Sequence, residues 1–468
     1  MAIIIPANSA ADTAYDVANS CRFNFGDSSY MHLTQSAPTD NLKWTANLWF
    51  KLGTQQDNAM LFSARPGDIF NVRLLTSGKL DMDMEVSSSH VARLTTNRLF
   101  RDPAAWYCLT VVYDSANASA GDRMRMYING TEETSFSTDT NPSEDLACIL
   151  NADGISMQIG RRSDGGYFDG YIAEFTFIDG QALTPSSFGE FDEDSPTIWK
   201  PKKVSGLTFG NNGFYLDFKD SANLGNDANG GTDFTEVNLA AVDQCTDTPT
   251  NNFCTMNPLD NYYAAGTFSE GNCRVSAGSA SVYTWCTSTF GVSSGKWYWE
   301  CKMISRLSAE QGITDRPSPS ATTQAEGTTN TLAKRQDQVI YWNASTHATD
   351  WTALSDDDIL MFALDLDNNK VWVGVNGTWE DSGDPTSGAT GTGAISITAP
   401  ASTTHGSYFV SQGHGGNSTA GDVSYNFGNP PHTISSGNAD ADGYGNFEYA
   451  VPSGFYALCT KNLAEYGG

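Results

Sequence analysis

The chain has 468 residues, enough for several domains, and its 39% hydrophobic and 12% aromatic content excludes wholesale disorder. Lys and Arg number 26 against 54 Asp and Glu, a formal net charge of −28, which argues against binding phosphate backbones or adsorbing to anionic membranes. Charged residues are only 17% while glycines number 44, a balance that favours many short strands joined by turns.

The start, Met1-Ala2-Ile3-Ile4-Ile5-Pro6, has no basic segment before its isoleucines, so it does not read as a signal peptide. No stretch approaches the ~20 apolar residues of a membrane span. Leu48 to Leu52, Tyr107 to Asp114 and Met124 to Ile128 read as strands, and Asn129-Gly130 supplies the positive φ angles of a two-residue hairpin. Simple alternation along Tyr171 to Phe177 places Tyr171, Ala173, Phe175 and Phe177 on one face. This first β region runs over about residues 15 to 190.

Residues 191 to 264 differ. Pro196, Pro201, Pro249 and Pro258 punctuate them, yet Gly213 to Phe218 is apolar and strand-like, so the stretch reads as an ordered connector packing on one or both sandwiches. Further on, Lys296 to Met303 alternates, with Trp297, Trp299, Cys301 and Met303 on one side and Tyr298, Glu300 and Lys302 on the other. Ile359 to Asp367 is a mostly apolar strand, and Lys370 to Val375 returns and ends on a second hairpin pair, Asn376-Gly377. The nine cysteines are scattered, odd in number and form no CxxC, a pattern of buried reduced thiols in a chain made in a cytosol.

Four pieces in order carry a resemblance to laminin-G-like, concanavalin-A-type jelly rolls: Phe23 to Tyr30, Trp44 to Phe50, Trp106 to Asp114 with Tyr127 to Gly130, and Ile159 to Arg162 with Phe168 to Phe175. Ser294 to Glu300, Asp356 to Asp367 with Val371 to Gly377, and Val423 to Gly428 resemble the SPRY domain, although Asp357 or Asp358 stands where that family has glycine. The resemblances imply an all-β chain of two jelly-roll/β-sandwich domains, laminin-G/concanavalin-A-like over 1–190 and SPRY-like over 265–468, with a connector over 191–264. Trp199-Lys200-Pro201, Gly213 to Phe218, Asp247 to Phe253 and Tyr456 to Leu463 extend the likeness to virion proteins of marine bacteriophages that join these modules in this order.

Enzymatic motifs are weak. Glu190-Phe191-Asp192-Glu193-Asp194 is the nearest match to a glycosidase carboxylate pair, but it has Asp194 where such enzymes have Glu and precedes Pro196 outside the strand pattern. Gly291-Val292-Ser293-Ser294-Gly295 fits G-x-S-x-G but leads into a strand rather than the helix of a nucleophile elbow. His32, His90, His347, His405, His414 and His432 are dispersed, with no metal-ligand spacing. No cofactor motif is present, and the expected protein is not an enzyme. Laminin-G-like domains often hold Ca²⁺, so the resemblance raises Asp81 with Asp83, Asp114 with Asp122, or Asp164 with Asp169 as hard oxygen ligands. Of these, Asp81 and Asp83 at i and i+2 face one side of a strand. Trp342, Trp351 and Trp379, set near polar turns, are the candidates for an exposed aromatic ligand site.

Together these readings imply a bacteriophage virion structural protein, a tail-fibre or surface appendage displayed on the particle exterior that binds a host cell-surface glycan or protein. The alternative is a capsid or tail decoration or connector whose partners are only other virion proteins. Neither nucleic-acid binding nor membrane insertion is expected. Appendages of this kind imply a homo-oligomer, although no heptad run specifies one.

Overall fold

In this computed structural model the described residues are 15–54, 57–262, 266–277, 283–307, 309–316, 325–415 and 421–467, so the opening Met1–Pro6 lies outside them. Strands dominate, as the glycine-rich, charge-poor composition requires, and the chain divides between Thr250 and Asn251 into two units. The fold is all-β, with two β-sandwiches. No helix among the described residues is long and apolar enough to cross a membrane.

The first unit stacks two eight-stranded antiparallel sheets. One, hereafter the covered sheet, runs in the order Thr131–Glu132, Met124–Ile128, Trp106–Asp114, Lys43–Leu52, Gly170–Asp179, Ser20–Phe23 and Gln244–Cys245, with Phe214–Leu216 also paired to Gly170–Asp179. The other, the polar sheet, runs Phe136–Thr140, Ser89–Leu99, Lys79–Val86, Ile69–Leu74, Ala59–Arg65, Ser156–Ile159, Tyr30–Thr34 and Thr235–Val237. Period-2 alternation sends Trp44, Phe50, Phe70, Val72, Met82 and Leu94 into one core. Trp44 anchors it, stacked on Tyr113 at 5.6 Å and edge-on to Phe70 at 5.3 Å. Each such side chain contributes roughly 1.5–3 kcal/mol by leaving water.

Two expectations change. The expected connector, 191–264, is ordered and packs on a sandwich as expected, but its 191–250 part belongs to the first unit: Phe214–Leu216, Thr235–Val237 and Gln244–Cys245 hydrogen-bond into that unit's sheets. Their strands are two or three residues long, too short to show alternation. The single face expected for Tyr171 to Phe177 is split by a bulge. Ala173 pairs with Trp49 and Thr176 with Asn47, so one extra residue is inserted, and Glu174 takes it up at φ +52°. Tyr171 and Ala173 therefore join Trp49 and Trp106 on the outer face, while Phe175 and Phe177 enter the core.

The second unit also has two sheets. Seven strands run Met256–Tyr262, Tyr283–Val292, Tyr408–Gly415, Ala309–Thr314, Thr331–Arg335, Ile340–Trp342 and Ser345–Ala348. The nine-stranded sheet centres on Lys296–Ser305, Ile359–Asp365 and Lys370–Val375. The expected alternation along Lys296–Ser305 holds: Trp299 stacks on Phe362 at 5.0 Å on one face, and Tyr298 meets Phe447 edge-on at 5.0 Å on the other. Ser294 lies in the crossing between sheets, followed by a strand, as expected of a turn. Both Asn-Gly pairs form the expected hairpins, with φ +48° and +73° at Asn129 and Gly130 and +48° and +84° at Asn376 and Gly377.

Candidate functional site

Register builds a polar row on the outer face of the polar sheet. His32, Gln158, Ser63, Asn71, Asp83 and Arg93 stand side by side on six neighbouring strands. At ~4.8 Å per strand the row is ~24 Å long. Its residues alternate with core residues along each strand, so the same pattern that builds the core lays down the row.

At one end of the row is an aromatic group. Tyr30 and His32 stack at 5.8 Å, Tyr30 lies 6.4 Å from Tyr167, and Tyr167 lies 6.5 Å from Phe25. The Arg161 guanidinium sits 3.6 Å above the Tyr30 ring and donates from Nε to Gln158 Oε1 at 3.2 Å, which joins the rings to the row. Phe25 is the outermost ring, 43% exposed. The half-buried His32 imidazole and Arg161 guanidinium beside the exposed Phe25 ring can hydrogen-bond hydroxyl groups and stack on C–H faces, the two contacts that hold a sugar.

The other end is ionic. Asp81 accepts from Arg73 Nε at 2.9 Å, Arg93 Nε at 2.9 Å and Thr95 Oγ1 at 2.6 Å. Asp83 accepts from Arg73 Nη2 at 3.4 Å and pairs with His90 Nδ1 at 2.7 Å. Burial raises the Asp83 carboxyl above its ordinary value, opposed by His90. The two aspartates do share a face, as the spacing predicts, but arginines occupy Asp81, so the pair does not form an all-oxygen calcium cradle. Asp164 is likewise held by Arg65 and Arg162.

The covered sheet's outer face is closed by residues from the expected connector. Lys51 Nζ meets Asp247 Oδ2 at 2.7 Å, and Trp106 Nε1 donates to Asp247 Oδ1 at 2.9 Å. At the bulge, Glu174 accepts from the hydroxyls of Tyr215 at 2.6 Å and Tyr15 at 3.1 Å. Burial outweighs those bonds and pushes its carboxyl up to about 7.

The three expected tryptophans of the second unit do not form an exposed site. Trp351 is buried, its Nε1 donating to Asp381 Oδ2 at 3.2 Å. Trp342 is half-buried beside Tyr408, with ring centroids 6.5 Å apart. Trp379, on Thr378–Trp379 of the other sheet, packs against the cluster of Phe447 and Phe455. Asp192 accepts from Ser195 N at 2.8 Å and Lys200 Nζ at 3.2 Å, so the acidic run around it builds a turn. Glu310, pushed up to about 8 by burial, has an Oε2 with no partner among the described residues. All nine cysteines are buried thiols, and burial lifts Cys108, Cys148 and Cys459 to about 12, which keeps them unreactive at neutral pH.

Sequence reasoning missed the group of Phe25, Tyr30, Tyr167 and Arg161. The available signal was Tyr30 and His32 at i and i+2, alternating with apolar Met31 and Leu33. Tyr167 lies too far along the chain for spacing to pair it.

Residues 25–187 match the family model of the concanavalin A-like lectin/glucanases superfamily. That match spans the whole polar row and its aromatic end. Comparison with curated proteins finds no match. Solved structures similar in fold include the SPRY domain of human HERC1, at 14% identity over 36% of this chain and 96% of that one, TM-score 0.28. A heptameric SAP-like pentraxin from Limulus polyphemus is 19% identical over 36% and 80%, TM-score 0.28. A candidate carbohydrate binding protein from Bacteroides ovatus is 16% identical over 47% and 58%, TM-score 0.33.

Proposed function

We propose that the protein binds glycan through the polar sheet of its first sandwich, without transforming it. The observation that carries this reading is the continuity of the exposed Phe25 ring, through half-buried Tyr167 and Tyr30, with half-buried His32 at the end of the in-register row. The concanavalin-A-like family match over these residues supports it. The likeness of the module order to marine phage virion proteins supplies the setting we favour, an appendage on the particle exterior that contacts a host surface polysaccharide.

Calorimetric titration of the full chain with a panel of bacterial surface polysaccharides tests this. The expected result is saturable binding that weakens roughly tenfold or more in Phe25→Ala/Tyr167→Ala, in line with ~1–3 kcal/mol for two stacking rings. Trp351→Phe serves as the control and leaves affinity unchanged. A folded double variant that binds as tightly as the parent overturns the site, and a parent that binds no glycan overturns the function. Electron microscopy of labelled particles addresses the setting. An exterior, outward-pointing chain supports the appendage, and burial among other virion proteins favours the decoration alternative.

A further inference from the structure

We infer that Asp83, Glu85 and His90 form a site for a divalent transition-metal ion, of the manganese or zinc type, at the ionic end of the polar sheet. The hairpin makes the constellation. Ser87 and Ser88, at φ +49° and +63°, form a tight two-residue turn between Lys79–Val86 and Ser89–Leu99. That turn sets His90 directly opposite Glu85, and Asp83 shares the Glu85 face at i−2. His90 Nδ1 lies 2.7 Å from Asp83 Oδ1 and 3.7 Å from Glu85 Oε1, and one donor atom from each residue falls within 4.8 Å of the others. An ion with bonds of ~2.1 Å in tetrahedral geometry needs its donors ~3.4 Å apart. Half-exposed His90, with 51% of its side chain accessible, can adjust to that spacing and admit the ion from solvent.

A second observation points to a missing partner at the same place. Asn71 faces Asp83 across the strands and is fully buried, yet neither its Oδ1 nor its Nδ2 has a hydrogen-bond partner among the described residues. Leaving both atoms unmet is unfavourable, because each gives up its hydrogen bonds to water without a replacement. A metal ion, or the water it carries, would supply a partner for Oδ1.

The donor set selects the ion. One imidazole and two carboxylates suit manganese or zinc, whereas calcium wants six to eight oxygens. Arg73 Nη2, 3.4 Å from Asp83 Oδ2, positions the carboxylate by occupying the oxygen that faces away from His90. Asp81, Asp83 and Glu85 supply three acids here against the two guanidiniums of Arg73 and Arg93, an excess that attracts a cation. Two guanidiniums so close repel the cation and weaken its affinity.

The inference stands apart from the sugar reading, because its test contains no glycan. The full chain, stripped with chelator and dialysed, is titrated with MnCl2 while free Mn²⁺ is followed by electron paramagnetic resonance, and with ZnCl2 by calorimetry. One ion per chain is expected, weakened roughly tenfold or more in His90→Gln and in Glu85→Gln. Both replaced side chains reach solvent, so the melting temperature of the stripped variants should match the parent's. Excess Ca²⁺ should not displace the ion. Absence of saturable binding, retention of full affinity in His90→Gln, or displacement by Ca²⁺ each overturns the assignment.

Discussion

On the covered face of the first sandwich Lys51 meets Asp247 at 2.7 Å with neither side chain exposed, whereas on the polar face Asp81 meets Arg73 and Arg93, which keep 11% and 26% of theirs accessible. Both are acid–base contacts on outer faces of antiparallel sheets. The difference is what lies above them. A segment from 191–250 closes over the first and leaves its charges dependent on each other. The second keeps a route to water through its arginines, although Asp81 itself is buried. Sequence alone does not separate the two cases, since each is a charged residue at an alternating strand position.

The largest expected effect tests that difference directly. Asp247→Ala leaves the Lys51 ammonium buried without its counter-charge and should destabilise the first unit by about 3–5 kcal/mol in urea denaturation. Asp81→Ala should cost less, about 1–2 kcal/mol, because Arg93 can turn to solvent and Arg73 keeps its contact with Asp83. Equal losses would mean that the two faces are equally closed. The double change Lys51→Met/Asp247→Leu removes both charges and should recover most of the loss.

Glu174 provides the next contrast. Its carboxyl ordinarily titrates near 4.5 and in the fold near 7, so the folded state holds the proton more tightly. Stability attributable to this group should therefore be greatest below about 4.5, fall as pH rises to about 7 and stay flat above, a difference of ~3 kcal/mol. Glu174→Gln keeps an acceptor for the Tyr15 and Tyr215 hydroxyls and should flatten that part of the curve, so that at pH ~8 the variant is more stable than the parent. Glu300 in the second unit is the counterpart that should change less on raising pH. It accepts from the backbone N–H groups of Glu448 at 2.9 Å and Tyr449 at 2.8 Å, bonds that favour the charged form and offset its burial. A parent and Glu174→Gln variant with parallel pH profiles would remove the bulge as a titrating element.

These cases mark where the sequence was legible. Local rules read well: the Asn-Gly turns, the alternation of Lys296–Ser305 and the shared face of Asp81 and Asp83 all depend on residues within a few positions of one another. What failed depended on distant partners. The bulge at Glu174 flips a face because of pairing with Lys43–Leu52, and nothing in Tyr171 to Phe177 announces it. Arg73 and Arg93 claim Asp81 through register across three strands. Trp351 reads as a ligand-facing ring because its sequence neighbours are polar, but Asp381, thirty residues on, accepts from its indole N–H.

The two Asn-Gly hairpins share a backbone and differ in what packs on the glycine. A Cβ on Gly130 would sit 2.2 Å from the buried Trp199 ring, while one on Gly377 would sit 3.0 Å from Tyr449. Alanine at either position bears the positive-φ strain, about 1 kcal/mol. Gly130→Ala must also displace Trp199, so it should lose about 2–3 kcal/mol in thermal or urea unfolding, against about 1 kcal/mol for Gly377→Ala. Similar losses would show that the turn conformation alone fixes both glycines.

Phe25→Ala should have the smallest effect on stability and a plain effect on binding. Its ring is 43% exposed and contacts Tyr167 only edge-on at 6.5 Å, so truncation should change unfolding free energy by no more than about 0.5 kcal/mol. Residues that stabilise a fold lose stability when cut, whereas a ring kept at the surface for a ligand loses affinity instead. Trp44, stacked on Tyr113 inside the same sandwich, should behave the opposite way, with a loss of about 3–5 kcal/mol on truncation. If Phe25→Ala instead melts the first unit, the exposed ring is a packing residue and the aromatic end of the polar row is structural.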